Sequence, residues 1–361
     1  MSGERFMREA LELAARGRGF VSPNPMVGAV LVKHGRIVGR GWHRRFGGAH
    51  AEVEAIRAAG ANARGSTLYV TMEPCCFEGK TPACTDAIVP AGIRHVEAAV
   101  LDPNPRVNGR GLRCLRAQGI KTGLGLLQDE ARQLNEAYFT FVKKRRPFVV
   151  LKIAVTLDGM IADRWGRSQW LTSVTARRFA QELRRSVDAV VVGAGTVRAD
   201  NPRLTCRIAR NKRLVRVVLD TELTVSPRSR LFQEPGPVAV LCGLRHEARA
   251  ARLERQGAEV VALGTNAGGL LSWPRILGFL YRRGLAAVLI EGGATVAASA
   301  LEAGVVDKAY VFHAPLLLGP GRAFTARMRS RKLSQAIRLS RVEHRSLGSD
   351  VLTEGYVHRT D

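Results

Sequence analysis

GGAHAEVEAIRAAG (47–60), STLYVTM (66–72) and TPACTDAIVPAGI (81–93) follow one another in a chain of 361 residues. The first stretch carries apolar residues at helical spacing and closes on Gly60, where a left-handed C-cap fits. The second is a short β-branched and aromatic run, the pattern of a buried strand. In the third, Thr81 suits an N-cap and Pro82 the first helical position, which puts Cys84 in the first turn of a helix. Outward from this core the alternation continues. MVGAVLV (26–32) and VEAAVLD (96–102) read as strands, GLRCLRAQGI (111–120) as a helix, and the stretch before Gly19 as an ordinary first helix. Helices alternating with short apolar strands predict a three-layer α/β domain.

The clearest seam is Lys143-Lys144-Arg145-Arg146-Pro147. Four like charges end the amphipathic pattern ARQLNEAYFTFV and read as a solvated helix end, and Pro147 blocks continuation. A new strand, FVVLKIAV, starts at Phe148, so domains are expected over 1–146 and 147–361. Beyond the seam, strands are expected at 148–155, 188–192, 215–219, 237–241, 258–262, 286–290 and 307–314. Helices are expected at 174–186, 245–256, 273–283 and 293–303. This is a second α/β domain, with residues 325–361 reading as polar chain with strands at most.

Composition bounds the function. Hydrophobic residues are 46% and charged residues 24%, the balance of a globular protein. No run approaches a membrane span, and acidic Glu4, Glu9 and Glu12 argue against a signal peptide at the start. Six cysteines over this length are no disulfide scaffold, which makes a reducing cytoplasm the expected setting. The net charge of +25 is spread over both halves, and only 9 of the 56 basic residues are Lys. Dispersed Arg suits either a general preference for that residue or a phosphate-bearing small molecule. A nucleic-acid surface would cluster it with aromatics, which are only 6% here.

Chemistry concentrates at His50-Ala51-Glu52, Glu73-Pro74-Cys75 and Cys84. One imidazole and two thiolates are three zinc ligands, and a three-ligand site leaves a catalytic corner for water whose pKa zinc lowers to about 7. Glu52 is then placed to take the water's proton and pass it to a leaving group. The pattern matches H-x-E…P-C of zinc nucleobase deaminases, except that the second Cys comes after eight residues rather than two. Cys76 reads as a small buried neighbour, and Cys114, Cys206 and Cys242 as packing residues. Asn24 is either a turn former or a pyrimidine contact, and Asp158 a turn former. In the second half, Gly193-Ala-Gly-Thr-Val-Arg198 lacks the third glycine of a dinucleotide fingerprint. Glu291-Gly292-Gly293 before a helix is a better, though weak, phosphate turn. Two other readings stay open on these residues: a deaminase of a base in RNA with a binding module behind it, and a non-catalytic zinc scaffold.

SPNPMVGAVLV (22–32), HAE (50–52), EPC (73–75), GKTPACTDAI (79–88) and DPNPRVNGRG (102–111) resemble the bifunctional deaminase/reductases of riboflavin biosynthesis. The likeness extends through FVVLKIAVTLDGMIAD (148–163), SQWLT (168–172), DAVVVGAGTVRADNPRLTCR (188–207), RVVLD (216–220), LIEGGAT (289–295) and LEAGVVDKAYVFHAPLLLG (301–319). It implies a cytidine-deaminase-like α/β/α domain followed by a dihydrofolate-reductase-like α/β domain. The implied activities are zinc-dependent hydrolytic deamination of a phosphoribosylated diaminopyrimidinone, then NADPH-dependent reduction of the ribosyl group to a ribityl chain. His50, Cys75 and Cys84 would bind zinc, with Glu52 shuttling protons. Ala154, Trp170, Thr196, Asp200, Thr221 and the run Gly293, Ala294, Thr295, Val296, Ala297, Ala298 and Ser299 would line the cofactor. Ser168, Arg184, Leu204, Arg207 and Glu291 would touch the substrate, with Arg184 and Arg207 suited to its 5-phosphate. A homodimer through the second domain is expected by analogy, with neither nucleic acid nor membrane as partner. Cys76-Phe77 departs from the Ser-His usual after the first Cys in the family.

Overall fold

In the strand GAVLVK, Ala29 and Leu31 point to one side and Val30 and Val32 to the other, and all four are buried. A strand apolar on both faces must be sandwiched, and that dictates three layers. The computed structural model describes residues 2–209 and 211–357 and divides into two compact units, Met1–Arg145 and Arg146–Asp361.

The first unit runs α1 (Ser2–Ala15), β1 (Gly28–Lys33), β2 (Arg36–Trp42), α2 (Ala51–Ala59), β3 (Thr67–Val70), α3 (Cys84–Ile88), β4 (His95–Ala98), α4 (Arg110–Ala117), β5 (Lys121–Leu124), α5 (Gln128–Leu134) and α6 (Glu136–Lys144). Its sheet has the order β2-β1-β3-β4-β5, with β1 antiparallel to both neighbours and β3, β4 and β5 parallel. Phe6, Met7, Ala10 and Leu13 of α1 pack on the Val30 and Val32 face, and Ala51, Ala55, Ile88, Leu112 and Leu115 on the Ala29 and Leu31 face. Strand β2 was not expected from its sequence, RIVGRGW. Its glycines are required by close approach: a Cβ at Gly41 would lie 2.2 Å from the Ala51 carbonyl oxygen, and one at Gly39 2.3 Å from that of Ala55. Helix α3 is shorter than the expected 81–93. Its N-cap is Ala83 rather than Thr81, and Cys84 is its first residue.

The second unit runs β6 (Phe148–Thr156), β7 (Met160–Asp163), α7 (Val174–Ser186), β8 (Ala189–Gly193), α8 (Ala194–Asp200), β9 (Val215–Leu219), α9 (Arg230–Gln233), β10 (Val238–Cys242), α10 (Glu247–Glu254), β11 (Ala258–Ala262), α11 (Trp273–Arg282), β12 (Ala287–Ile290), α12 (Ala294–Glu302), β13 (Lys308–Ala314), β14 (Gly321–Ala323), β15 (Leu339–Leu347) and β16 (Asp350–Val357). The nine-stranded sheet β11-β10-β9-β8-β12-β6-β13-β16-β15 is parallel from β11 to β13 and antiparallel beyond. Its core gathers Val149, Leu151, Val191, Val217, Leu241, Ile276, Leu280, Val288 and Ile290. The terminal hairpin β15–β16 gives residues 339–357 a definite place in that sheet.

The basic tetrad does not act as one solvated patch. Arg145 caps α6 in a left-handed conformation (φ 51°), whereas Arg146 forms a bidentate pair with Asp307 at 2.6 and 2.7 Å inside the second unit. Cys206 and Cys242 are buried as expected, but Cys114 is exposed and Cys76 only half-buried. No helix among the described residues is long and apolar enough to cross a membrane.

Candidate active sites

In the first unit, two helix starts and a loop converge. His50 is the N-cap of α2, Cys84 opens α3, and Cys75 lies in the loop leaving β3. That loop is pinned from behind. The buried Glu73 carboxylate accepts the amides of Asp102, Gly109 and Leu112 at 3.3, 2.8 and 3.1 Å. Gly111 lets α4 close over it, since a Cβ there would lie 1.9 Å from the Pro74 carbonyl oxygen. His50 Nδ1 stands 3.1 Å from Cys84 Sγ and 3.6 Å from Cys75 Sγ, and the two sulfurs are 3.4 Å apart. Tetrahedral zinc with bonds of about 2.0–2.3 Å holds its ligand atoms roughly 3.3–3.8 Å apart. The triangle fits such an ion, and among the described residues no fourth His, Cys, Asp or Glu joins it.

The electrostatics agree. The Cys84 hydrogen bond, together with those of His50 and the Cys84 amide, holds the Cys75 thiol down at about 4 against the cost of burial. Cys84, bonded to Cys75 and buried, is pushed up. Two sulfurs sharing one proton are what a divalent cation replaces with two thiolates. Thr81, expected as a helix cap, instead sets its hydroxyl 3.3 Å from His50 Nε2, on the ring nitrogen turned away from the metal corner. Glu52 is buried beside the cluster and hydrogen-bonded to Cys84; desolvation raises its pKa, so it can hold a proton.

One buried residue here carries no signal in the sequence. His43 places Nε2 3.3 Å from Asn24 Nδ2 and Nδ1 3.0 Å from the Ala49 carbonyl oxygen, and its ring meets that of His50 edge-on at 5.3 Å. It is outside the H-x-E motif, and only its distance in space reveals it. Phe77, in the position of the family's His, lies under the Arg106 guanidinium at 3.8 Å.

In the second unit a cleft of about 1650 Å³ opens over the carboxyl ends of the parallel strands. It brings together Ala154, Ser168, Trp170, Arg184, Thr196, Asp200, Leu204, Arg207, Thr221, Glu291, Gly293, Ala294, Thr295, Val296 and Ser299. It does not include Ala297 and Ala298, which face inward and are buried. The segments are cross-tied. The Gly293 amide donates to Thr196 Oγ1 at 3.0 Å, and Ser168 Oγ to Asp200 Oδ1 at 2.7 Å. Trp170 is no core residue, being 67% exposed. Asp158 acts as the turn former it was read as, its carboxylate accepting the Gly319 amide at 2.7 Å.

Arg184 lines the cleft without a free guanidinium. Its Nε and Nη2 donate to the two oxygens of Glu291 at 2.7 Å each, and Nη1 donates to the Thr205 carbonyl at 2.9 Å. Burial would raise the Glu291 pKa, but the paired guanidinium overrides it and keeps the carboxylate ionised. Arg184 is thus already balanced by an anion, whereas Arg207 is an exposed cation lining the same cleft. Lys152, unassigned in the sequence, also lines the cleft; desolvation lowers its pKa, with Glu291 opposing and Arg184 adding.

A soft-metal triangle with a buried carboxylate, and a dinucleotide-sized cleft floored by an ion pair, define a two-site enzyme, hydrolytic in one unit and redox in the other. Comparison with known proteins gives the particular family. Residues 147–353 match the RibD C-terminal domain, and residues 1–100 the cytidine and deoxycytidylate deaminase zinc-binding region. Riboflavin biosynthesis protein RibD of Aquifex aeolicus is 40% identical over 352 residues, covering 97% of both chains. That of Escherichia coli is 39% identical over 367 residues, covering 97% of this chain and 98% of its own. Acinetobacter baumannii RibD superposes with a TM-score of 0.90 at 33% identity, covering 99% of each chain. The Thermotoga maritima diaminohydroxyphosphoribosylaminopyrimidine deaminase/5-amino-6-(5-phosphoribosylamino)uracil reductase does so with 0.87 at 39%, again over 99% of each. The chain belongs to the RibD family. It is a bifunctional enzyme of riboflavin biosynthesis, with a zinc-dependent, cytidine-deaminase-like unit and an NADPH-dependent, dihydrofolate-reductase-like unit.

Proposed function

We propose that the two units act in sequence on one phosphorylated pyrimidine nucleotide. Residues 1–146 would deaminate 2,5-diamino-6-(5-phosphoribosylamino)pyrimidin-4(3H)-one, and residues 147–361 would reduce the ribosyl group of the product to a ribityl chain. The observation that carries this reading is the His50–Cys75–Cys84 triangle with Glu52 buried against it, in the same chain as the Arg184–Glu291 cleft.

His50, Cys75 and Cys84 hold zinc, which when bound supplies Lewis-acid activation of water near neutral pH. Glu52 takes the proton of the attacking water and delivers it to the exocyclic nitrogen, which leaves as ammonia. Thr81 fixes the His50 ring, and the Asn24–His43 pair orients the pyrimidine beside it. In the second unit the bound NADPH would supply a hydride. The ribosyl aminal would open to an imine as its N–H proton passes to the ring oxygen, leaving a carbon able to take that hydride and a nitrogen that takes a proton from water. Ser168, Leu204, Arg207 and the Glu291–Arg184 pair orient the ring-opened sugar phosphate, with Arg207 on the phosphate. Ala154, Trp170, Thr196, Asp200, Thr221 and the Gly293–Ser299 turn cradle the cofactor, Ala297 and Ala298 acting only through backbone and packing.

A cytoplasmic setting suits six free cysteines, two of them metal ligands. A homodimer through the second unit is consistent with the exposed edge strand β15. No RNA enters this reading, because the positive charge is dispersed.

The test is a coupled assay on the synthetic nucleotide, following ammonia and NADPH in parallel. One ammonia is expected per NADPH oxidised, with oxidation lagging deamination. NADPH oxidation without prior ammonia release would overturn the order of steps, and zinc-free protein of full deaminase activity would overturn the first site.

A further inference from the structure

The cleft has two ends. At one, β6 and β12 bring Lys152 and Glu291; at the other, the turn after β9 brings Thr221, Glu222 and Thr224. The order β9-β8-β12-β6 separates these ends by three strand spacings, about 14 Å. A dinucleotide whose nicotinamide reaches the substrate near Glu291, and whose pyrophosphate lies by Gly293 and Thr196, extends its adenosine half toward β9.

Many NAD enzymes present a free carboxylate to the adenosine ribose at the end of such a strand. The acid here, Asp220, is 2% exposed and turned inward. It accepts the Thr224 hydroxyl at 3.0 Å and the Val225 amide at 2.7 Å, so it is committed to the turn. The Thr224 oxygen in turn accepts Arg198 Nη1 at 2.5 Å. Asp220 and Thr224 thereby hold an exposed guanidinium at this end. Arg230 lines the same end, its amide tied at 2.8 Å to Asn201, the residue that caps α8 after Arg198. Among the described residues neither guanidinium is paired with a carboxylate. Arg184 and Arg203, in the same cleft, are paired with Glu291 and Glu234. Two uncompensated cations where the adenosine ribose falls suit a phosphate dianion there, not a bare hydroxyl.

We propose that Arg198, with Arg230 on the same rim, clamps the 2′-phosphate of NADPH and makes the second unit discriminate against NADH. Glu222, exposed on the same turn, is an opposing charge and limits the preference. The proposal rests on the reductase assignment above.

The test is direct binding to the full chain without substrate, with NADPH and NADH titrated separately by tryptophan fluorescence and 2′,5′-ADP as competitor. Wild-type protein should bind NADPH at least tenfold more tightly than NADH, and 2′,5′-ADP should compete better than ADP. Arg198→Gln should weaken NADPH and 2′,5′-ADP about tenfold, the worth of one charge-assisted contact, and leave NADH within twofold. Arg198→Lys should keep part of the preference. Arg198→Gln with Arg230→Gln should remove most of it, and Glu222→Gln should tighten NADPH alone. Equal weakening of both dinucleotides by Arg198→Gln, or no change in either, would overturn the clamp while leaving the reductase intact. A wild-type chain that binds neither dinucleotide would overturn the reductase assignment itself.

Discussion

The metal corner of the first unit and the dinucleotide cleft of the second are built in different ways. The metal corner draws its three donors and Glu52 from residues 50–84, three of them at or next to the first residue of a helix, with contacts of 3.1–3.6 Å. The cleft gathers residues from 152 to 327, and ties them by backbone amides and hydroxyls around about 1650 Å³. Metal coordination tolerates only a few tenths of an ångström and only certain atoms, so it demands particular residue types in a short, ordered motif. A dinucleotide is held by many weaker contacts, several of them to backbone, so side-chain identity is less constrained. The sites should therefore fail differently.

The largest effect is expected at a ligand. Cys84→Ser, or stripping by a chelator, should abolish bound zinc and ammonia release, while NADPH oxidation on supplied deaminated nucleotide continues. Metal analysis and the two assays run in parallel check this, and simultaneous loss of both activities would break the separation of sites. Glu52→Gln should keep zinc and slow ammonia release about 10³-fold, the range of a lost proton shuttle. Retained deamination in that variant would remove Glu52 from the chemistry.

In the second unit the sensitive point is electrostatic. Glu291→Ala leaves Arg184 buried without its partner and should cost about 3–5 kcal/mol in denaturant unfolding of that unit. Adding Arg184→Ala should restore part of the loss, since the two effects are coupled. Zinc content should not move in either variant.

A smaller effect is expected from Asp102, which accepts Tyr138 Oη at 2.8 Å. Burial raises its pKa to about 6, from an ordinary value of 3.8. A carboxyl raised on folding favours the native state while protonated. Its contribution is therefore fully present below the unfolded value and is lost as pH rises through about 6. Asp102→Asn should remove about 2 kcal/mol of this pH-dependence in unfolding of the first unit between pH 4 and 7. An unchanged pH profile would show that Asp102 ionises freely. Smallest is Thr196→Val, which orphans the Gly293 amide. About 1 kcal/mol, a several-fold rise in NADPH Kd, is expected by titration.

How much was legible follows the same division. The helix at 174–186 and the parallel strands read through because their apolar runs are continuous, as a sheet covered on both faces requires. Strand β2 is illegible in the sequence because Gly39 and Gly41 look like loop, yet α2 leaves no room for a side chain there. Helix α3 is shorter than its sequence suggests because TPAC carries a helix-start signature, while the chain stays extended through Ala83 to bring Cys84 onto Cys75. His43 gave no signal at all. Lys152 does give one, a lone charge in the apolar run FVVLKIAV.

The order of residues alone pointed to candidate donors for a soft cation, to a seam within one residue of the observed division, and to helix alternating with strand in each half, because donor type and hydrophobic period are local properties. It could not say which of 56 basic side chains stay uncompensated. Arg184 is neutralised by a carboxylate 107 positions away, and Arg198 is held by a hydroxyl 26 positions away on a turn that folds Asp220 inward. Those pairings exist only once the sheet has assembled, because charge balance depends on distance in space and burial, and neither is written along the chain.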